Sequence, residues 1–192
     1  MSIPLQFLHH PRRTGAITAS SAALARRLTE PLALHSARTV VELGPGTGAV
    51  TGAIRARMHP DARLIAVELN PVLAQAVRER FAGPDVDVHT ASAADLVDLV
   101  DGPVDAVVSG LPWAAMRADE RTAALDAVTA VLRPDGAFTT FAYIHAAWSP
   151  PARRLAADLR ARFAEVHRSP VVWTNTPPAF VHHAVNPKAG RP

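Results

Sequence analysis

Cysteine is absent from the 192 residues, so neither a disulfide nor a thiolate zinc site can support the fold, which fits a cytoplasmic location. Lysine is nearly absent as well: Lys188 stands alone, arginine carries the remaining cationic charge, and the net charge is only +3 with histidines neutral. Without a strong excess of one sign, and without a basic patch interleaved with aromatics, no nucleic-acid partner is expected. No apolar run approaches the roughly 18 residues that span a bilayer, and the first residues lack the charged start and long apolar centre of a signal peptide. A soluble protein, or one peripheral on the inner face of the membrane, is expected; contact with an anionic membrane is permitted by the mild positive charge. The oligomeric state has no signature.

What is present suffices for one domain, since 48% of the residues are hydrophobic. Short β-branched or apolar runs alternate with alanine-rich stretches of helical period, the pattern of βα units around a mostly parallel sheet. Seven strands are expected near 38–43, 63–68, 85–89, 104–109, 136–143, 165–173 and 179–185, with helices near 47–58, 71–82, 119–132 and 152–163. Helices on both faces then give a Rossmann-like α/β fold. No long helix separates the last two strands, so they are expected to form an antiparallel hairpin. Residues 1–35 stand apart as an N-terminal arm or lid, or a helix on the flank, capped by Ser20 or Ser21, ahead of a main domain at 36–192.

The segment Val40–Thr51, VVELGPGTGAVT, is a strand entering a glycine turn that opens a helix, so backbone N–H groups can approach a ligand closely. Glu68 ends the second strand, where a carboxylate can accept both hydroxyls of a ribose. The third glycine falls one residue early for a dinucleotide fingerprint (Gly44, Gly46, Gly48), and Glu42 would repel a diphosphate while attracting a cationic amino group. On these residues the chain resembles the class I S-adenosylmethionine-dependent methyltransferases. The resemblance implies S-adenosylmethionine as cofactor, S-adenosylhomocysteine as product, and a cofactor site of Glu42, Gly44, Gly46, Gly48, Glu68, Leu69, Ser92, Ala93, Ser109 and Gly110. Ser92 stands where the family usually has an acid for the adenine amino group.

The fourth strand ends in Ser109-Gly110-Leu111-Pro112-Trp113. Base-methylating enzymes usually carry Asn or Asp where Gly110 stands, which argues against a nucleobase acceptor. Together PRRTGAITASSAALARRL, SGLP and VVWTNTPPAFVHHAV resemble the bacterial phospholipid N-methyltransferases. That resemblance implies stepwise methylation of phosphatidylethanolamine towards phosphatidylcholine; it leaves open a small soluble amine as acceptor, or a domain that binds the cofactor or a membrane surface without catalysis. Amine methylation needs alignment, exclusion of water and an acceptor for one proton per methyl. Trp113 and Tyr143 are candidate rings for the ammonium, His145 the candidate proton acceptor, Arg12 and Arg13 candidates for a lipid phosphate, and Ser20 and Ser21 candidates to close over the cofactor. The arm before Pro11 is short for an interfacial anchor. His9-His10 and His182-His183 are adjacent pairs whose members point to opposite faces of a strand, so no metal is expected.

Overall fold

In the computed structural model, which describes residues 20–81 and 83–188, seven strands form one sheet in the order β3-β2-β1-β4-β5-β7-β6. The strands are β1 Thr39–Leu43, β2 Arg63–Val67, β3 Val86–His89, β4 Val104–Ser109, β5 Leu132–Tyr143, β6 Phe163–Arg168 and β7 Ala179–Pro187. The first five run parallel, and β7 is antiparallel to both β5 and β6. The expected Rossmann-like sheet with antiparallel C-terminal strands is therefore the observed one. β7 pairs along its length with β5, from Ala137 opposite Val185 to Tyr143 opposite Ala179, and so separates β5 from β6.

Among the described residues six helices flank the sheet: α1 Ala22–Thr29, α2 Ala49–Arg55, α3 Pro71–Arg80, α4 Leu96–Leu99, α5 Ala118–Val131 and α6 Pro150–Arg162. Their starts follow local chemistry. Asn70 accepts from the N–H groups of Val72 and Leu73 ahead of Pro71, and Ser149 accepts from the N–H of Ala152. One core lies between the sheet and α4, α5 and α6, built on Leu96, Leu125, Val128, Leu155, Leu159 and Phe138. A second core lies on the opposite face, where Leu24, Ala25 and Leu28 of α1 and Val50 and Ile54 of α2 cover Val40, Leu64 and Val108. Residues 20–35 are thus packed into the body of the fold through α1, Leu32 and Leu34.

Three boundaries differ from expectation for identifiable reasons. Helix α2 begins at Ala49 because Gly44, Gly46 and Gly48 all have positive φ, which keeps the loop out of helical geometry. Strand β5 begins at Leu132, opposite Val104, and the Arg133–Gly136 turn becomes an irregularity within the strand before pairing resumes at Ala137. Strand β6 stops at Arg168, because Pro170 has no N–H for the ladder and the Ser169 hydroxyl accepts from the N–H of Val181 instead (2.9 Å).

Candidate functional site

The strand order reverses between β1, which is followed outward by β2 and β3, and β4, which is followed by β5. Ligands of open α/β sheets bind in the crevice beyond the carboxyl ends of such strands. The loops after β1, β2 and β4 meet there. Gly44 N–H donates to Val67 O and Gly110 N–H to Leu43 O, each at 2.8 Å, which locks the three strand ends together.

The glycines have separate reasons to lack side chains. A Cβ on Gly44 would stand 2.8 Å from Leu111 Cδ2, one on Gly48 would stand 2.4 Å from Phe81 Cε2, and one on Gly110 would stand 2.7 Å from the carbonyl oxygen of Gly44. At Gly46 a Cβ would meet nothing within 4 Å among the described residues, although φ is +55°. Of these four, Gly46 is the one that faces space free of the described residues, whereas Gly44, Gly48 and Gly110 make room for protein. Arg80 steadies the loop from outside by donating to Thr47 O at 2.9 Å.

Two acids line this loop. Glu42 is 1% exposed; its Oε2 accepts from the Thr51 hydroxyl at 2.6 Å, and its buried Oε1 has no partner among the described residues. Burial pushes its pKa up to about 8; the Thr51 hydrogen bond opposes the rise and the charge of Glu68 adds to it. Glu68, 6% exposed, spans two loops: Oε2 accepts from Gly46 N–H at 3.1 Å and Oε1 from Asn70 N–H at 2.9 Å. Burial raises its pKa, against the hydrogen bonds from Asn70, Gly46 and Leu69. Beside it the side chain of Leu69 is exposed.

These features fit S-adenosylmethionine. An orphaned carboxylate oxygen at Glu42 suits the cationic amino group, the space over Gly46 admits a ligand against the backbone, Glu68 stands where the ribose hydroxyls are expected, and Leu69 offers an apolar surface to a purine. Ser92 is half-buried: its hydroxyl accepts from Ala94 N–H and its own N–H donates to Asp95 Oδ2, so it starts the short 3-10 turn Ala93–Asp95.

The other expected residues divide. Tyr143 and His145 come together at the carboxyl end of β5, their rings stacked at 5.7 Å and 15°, with Phe141 edge-on to Tyr143. Burial raises the Tyr143 pKa. Trp113 goes elsewhere: it is 1% exposed, edge-on to Phe138 at 5.9 Å, with its N–H donating to the Ser109 hydroxyl at 3.0 Å. The loop after β4 turns inward, so the indole joins the core and Ser109 serves as its hydrogen-bond partner. Ser21 caps α1 by accepting from Leu24 N–H. Arg12 and Arg13 lie outside the described residues.

Sequence reasoning did not assign Asn175, 3% exposed, whose Oδ1 accepts from Ser21 N–H at 3.0 Å and whose amide donates to Pro177 O at 2.6 Å. Its signal was the Asn-Thr-Pro-Pro stretch, but its partner lies 154 positions away. Thr51 and Phe81, which hold Glu42 and fill the space beside Gly48, were equally unassigned.

Residues 40–136 match a family model described as a methyltransferase domain. The chain is 36% identical, over 69% of its own length and 72% of the other's, to an ornithine lipid N-methyltransferase of Singulisphaera acidiphila. A shorter match, 45% identical over 38% of this chain and 25% of the other, is to ribosomal RNA small subunit methyltransferase A of Acidobacterium capsulatum. Among solved structures, the O-methyltransferase TomG of Streptomyces achromogenes in complex with S-adenosylmethionine superimposes with a TM-score of 0.69 at 20% identity, covering 97% of this chain and 91% of TomG.

Proposed function

The chain belongs to the S-adenosylmethionine-dependent methyltransferases, and from that premise we propose that it N-methylates the amine of a membrane lipid, with phosphatidylethanolamine as the leading acceptor. The observation that carries the proposal is the likeness to the ornithine lipid N-methyltransferase, which extends over most of both chains. The cofactor supplies an electrophilic methyl on a sulfonium; everything else is asked of the chain's own side chains.

Glu42 and Glu68 hold the amino-acid and ribose ends, with Leu69, Ala93 and Ser92 around the adenine and the Gly44–Gly48 loop beneath. Tyr143 presents a ring face on which a cationic ammonium gains attraction. His145, exposed and stacked on that ring, takes the proton that the acceptor amine gives up. Gly110 supports an aliphatic amine over a nucleobase, since the Gly44 carbonyl occupies the space that an amide gripping a base would need. Ser20 and Ser21 close over the cofactor, and Arg12 and Arg13 meet the lipid phosphate. Such an enzyme works on the inner face of the membrane.

Incubation of the purified chain with labelled S-adenosylmethionine tests this against phosphatidylethanolamine, an ornithine lipid and a panel of soluble amines. Label in phosphatidylethanolamine is expected. Label in the ornithine lipid alone would move the acceptor to that lipid class, and label only in a soluble amine would sink the lipid assignment.

A further inference from the structure

Of the chain's three tryptophans, Trp113 is buried, while Trp148 is 83% and Trp173 69% exposed. The two exposed indoles leave the sheet from one place. Tyr143 pairs with Ala179, Val172 bridges to the same Ala179, and Ile144 N–H donates to Pro178 O at 2.9 Å. Trp173 follows Val172 directly, and Trp148 follows the short turn Ile144–Ala146. Both indoles therefore stand at the carboxyl end of β5, on the rim that carries Tyr143 and His145.

Charge on this rim has one sign. Residues 136–157, which run from β5 through Trp148 into α6, contain no Asp or Glu, and neither do residues 166–192, which include Trp173 and β7. The first turns of α6, immediately after Trp148, present exposed Arg153 and Arg154. The carboxylates at this end of the sheet lie on other elements, the buried Glu42 and Glu68 at the ends of β1 and β2, Asp95 after β3, and Asp119 and Glu120 in the first turn of α5, where Asp119 is ion-paired with Arg117. An indole is apolar over its body and polar at its N–H, which suits it to the headgroup layer of a bilayer, and nearby arginines are attracted to anionic lipid.

We propose that this rim is a bilayer-docking face. Trp148 and Trp173 enter the headgroup layer of a membrane containing anionic phospholipid, Arg153 and Arg154 lie over its phosphates, and the Tyr143 end of the crevice opens onto lipid amines. This rests on the lipid-acceptor reading above and adds to it the residues that deliver the site to its substrate.

The full chain is sedimented with vesicles of phosphatidylglycerol and phosphatidylethanolamine, and its tryptophan emission is followed with brominated lipids. Wild-type protein is expected to partition onto the vesicles, with quenching. The Trp148→Ala/Trp173→Ala variant should lose quenching and at least about tenfold in partitioning, which corresponds to 1.4 kcal/mol, while keeping its affinity for S-adenosylmethionine. An Arg153→Glu/Arg154→Glu variant should lose binding to anionic vesicles with the same retained affinity. Equal partitioning of the tryptophan variant and wild type would overturn the proposal. So would concentration-dependent self-association that this variant abolishes without any vesicle binding, since that assigns the face to a second copy of the chain. Label transfer to detergent-dispersed lipid, measured on wild-type protein, separates the two ideas: transfer without vesicle partitioning overturns the docking face alone, and tryptophan-dependent partitioning without transfer supports the face and removes the lipid acceptor.

Discussion

At the scale of single residues, the glycines separate packing from ligand access. Gly110→Ala places a methyl 2.7 Å from a backbone oxygen, so one of two locked loops must move. Thermal melts should show a loss of about 1–3 kcal/mol, with weaker cofactor binding as a consequence. Among the described residues Gly46→Ala meets no atom within 4 Å and carries only the left-handed strain, about 1–2 kcal/mol. Its added methyl points into the crevice, so calorimetry should show S-adenosylmethionine affinity falling more steeply, relative to stability, than in Gly110→Ala. Equal ratios in the two variants would remove the ligand from above Gly46. Glu42 supplies a second residue-scale test. With its pKa raised to about 8 it is largely protonated at pH 7 in the free protein. A cationic amino group arriving beside it favours the carboxylate, so cofactor binding should release a proton near pH 7, where the cofactor's amino group is still protonated. Calorimetry in buffers of different ionisation enthalpy reads this directly, and Glu42→Gln should abolish the release.

At the scale of elements, the start of α1 is hydrogen-bonded to the β6–β7 loop through one buried side chain, beside the apolar packing that Val172 of that loop shares with α1. Asn175 uses both ends of its amide, one on Ser21 N–H and one on Pro177 O. Asn175→Ala leaves the Ser21 N–H without its acceptor and should cost about 1–3 kcal/mol. The loss should be local, so hydrogen exchange is expected to quicken at Ser21–Leu24 while the amides of β1 and β4 keep their protection; uniform acceleration would mean that Asn175 supports the whole domain. Both partners were conspicuous in the sequence, Ser21 as a helix cap and Asn175 before two prolines. Their pairing was not legible, because capping and turn preferences are local and carry no record of a contact 154 positions away. The Trp113 loop teaches the same lesson. Its small residues announced a turn after β4, but the direction of the indole depended on the space left by Phe138 and on the Ser109 hydroxyl.

At the scale of the whole molecule, two buried groups shape the response to pH from opposite sides. Glu42 is raised from 4.5 to about 8, mainly by burial. The unfolded chain therefore binds fewer protons at this group, and its contribution is fully present below pH 4.5 and lost as pH rises through 8. His182, buried on β7 with Phe180 edge-on at 5.1 Å, is lowered from 6.5 to about 4 by burial first, then by Arg168 and Arg160. The unfolded chain binds more protons there, so that contribution is present above pH 6.5 and lost as pH falls through 4. Between 4.5 and 6.5 the two slopes oppose each other, and above 6.5 Glu42 alone remains of the pair. Denaturant titrations of the cofactor-free protein should show stability falling from pH 6.5 to 9 by on the order of a few kcal/mol. Glu42→Gln should flatten that limb; an unchanged limb would mean that Glu42 does not titrate there.

By itself the sequence determined the alternation of strands and helices and the kind of cofactor, because hydrophobic period, helix caps and the spacing of glycines and acids are carried by neighbouring residues. Tertiary structure alone decided that β7 enters between β5 and β6, that Trp113 is core while Trp148 and Trp173 are surface, and that Glu42 keeps one oxygen without a partner among the described residues. Each of these depends on which distant segments exclude water from a given place. Burial of that kind belongs to the packed assembly of elements and has no local pattern from which it can be read.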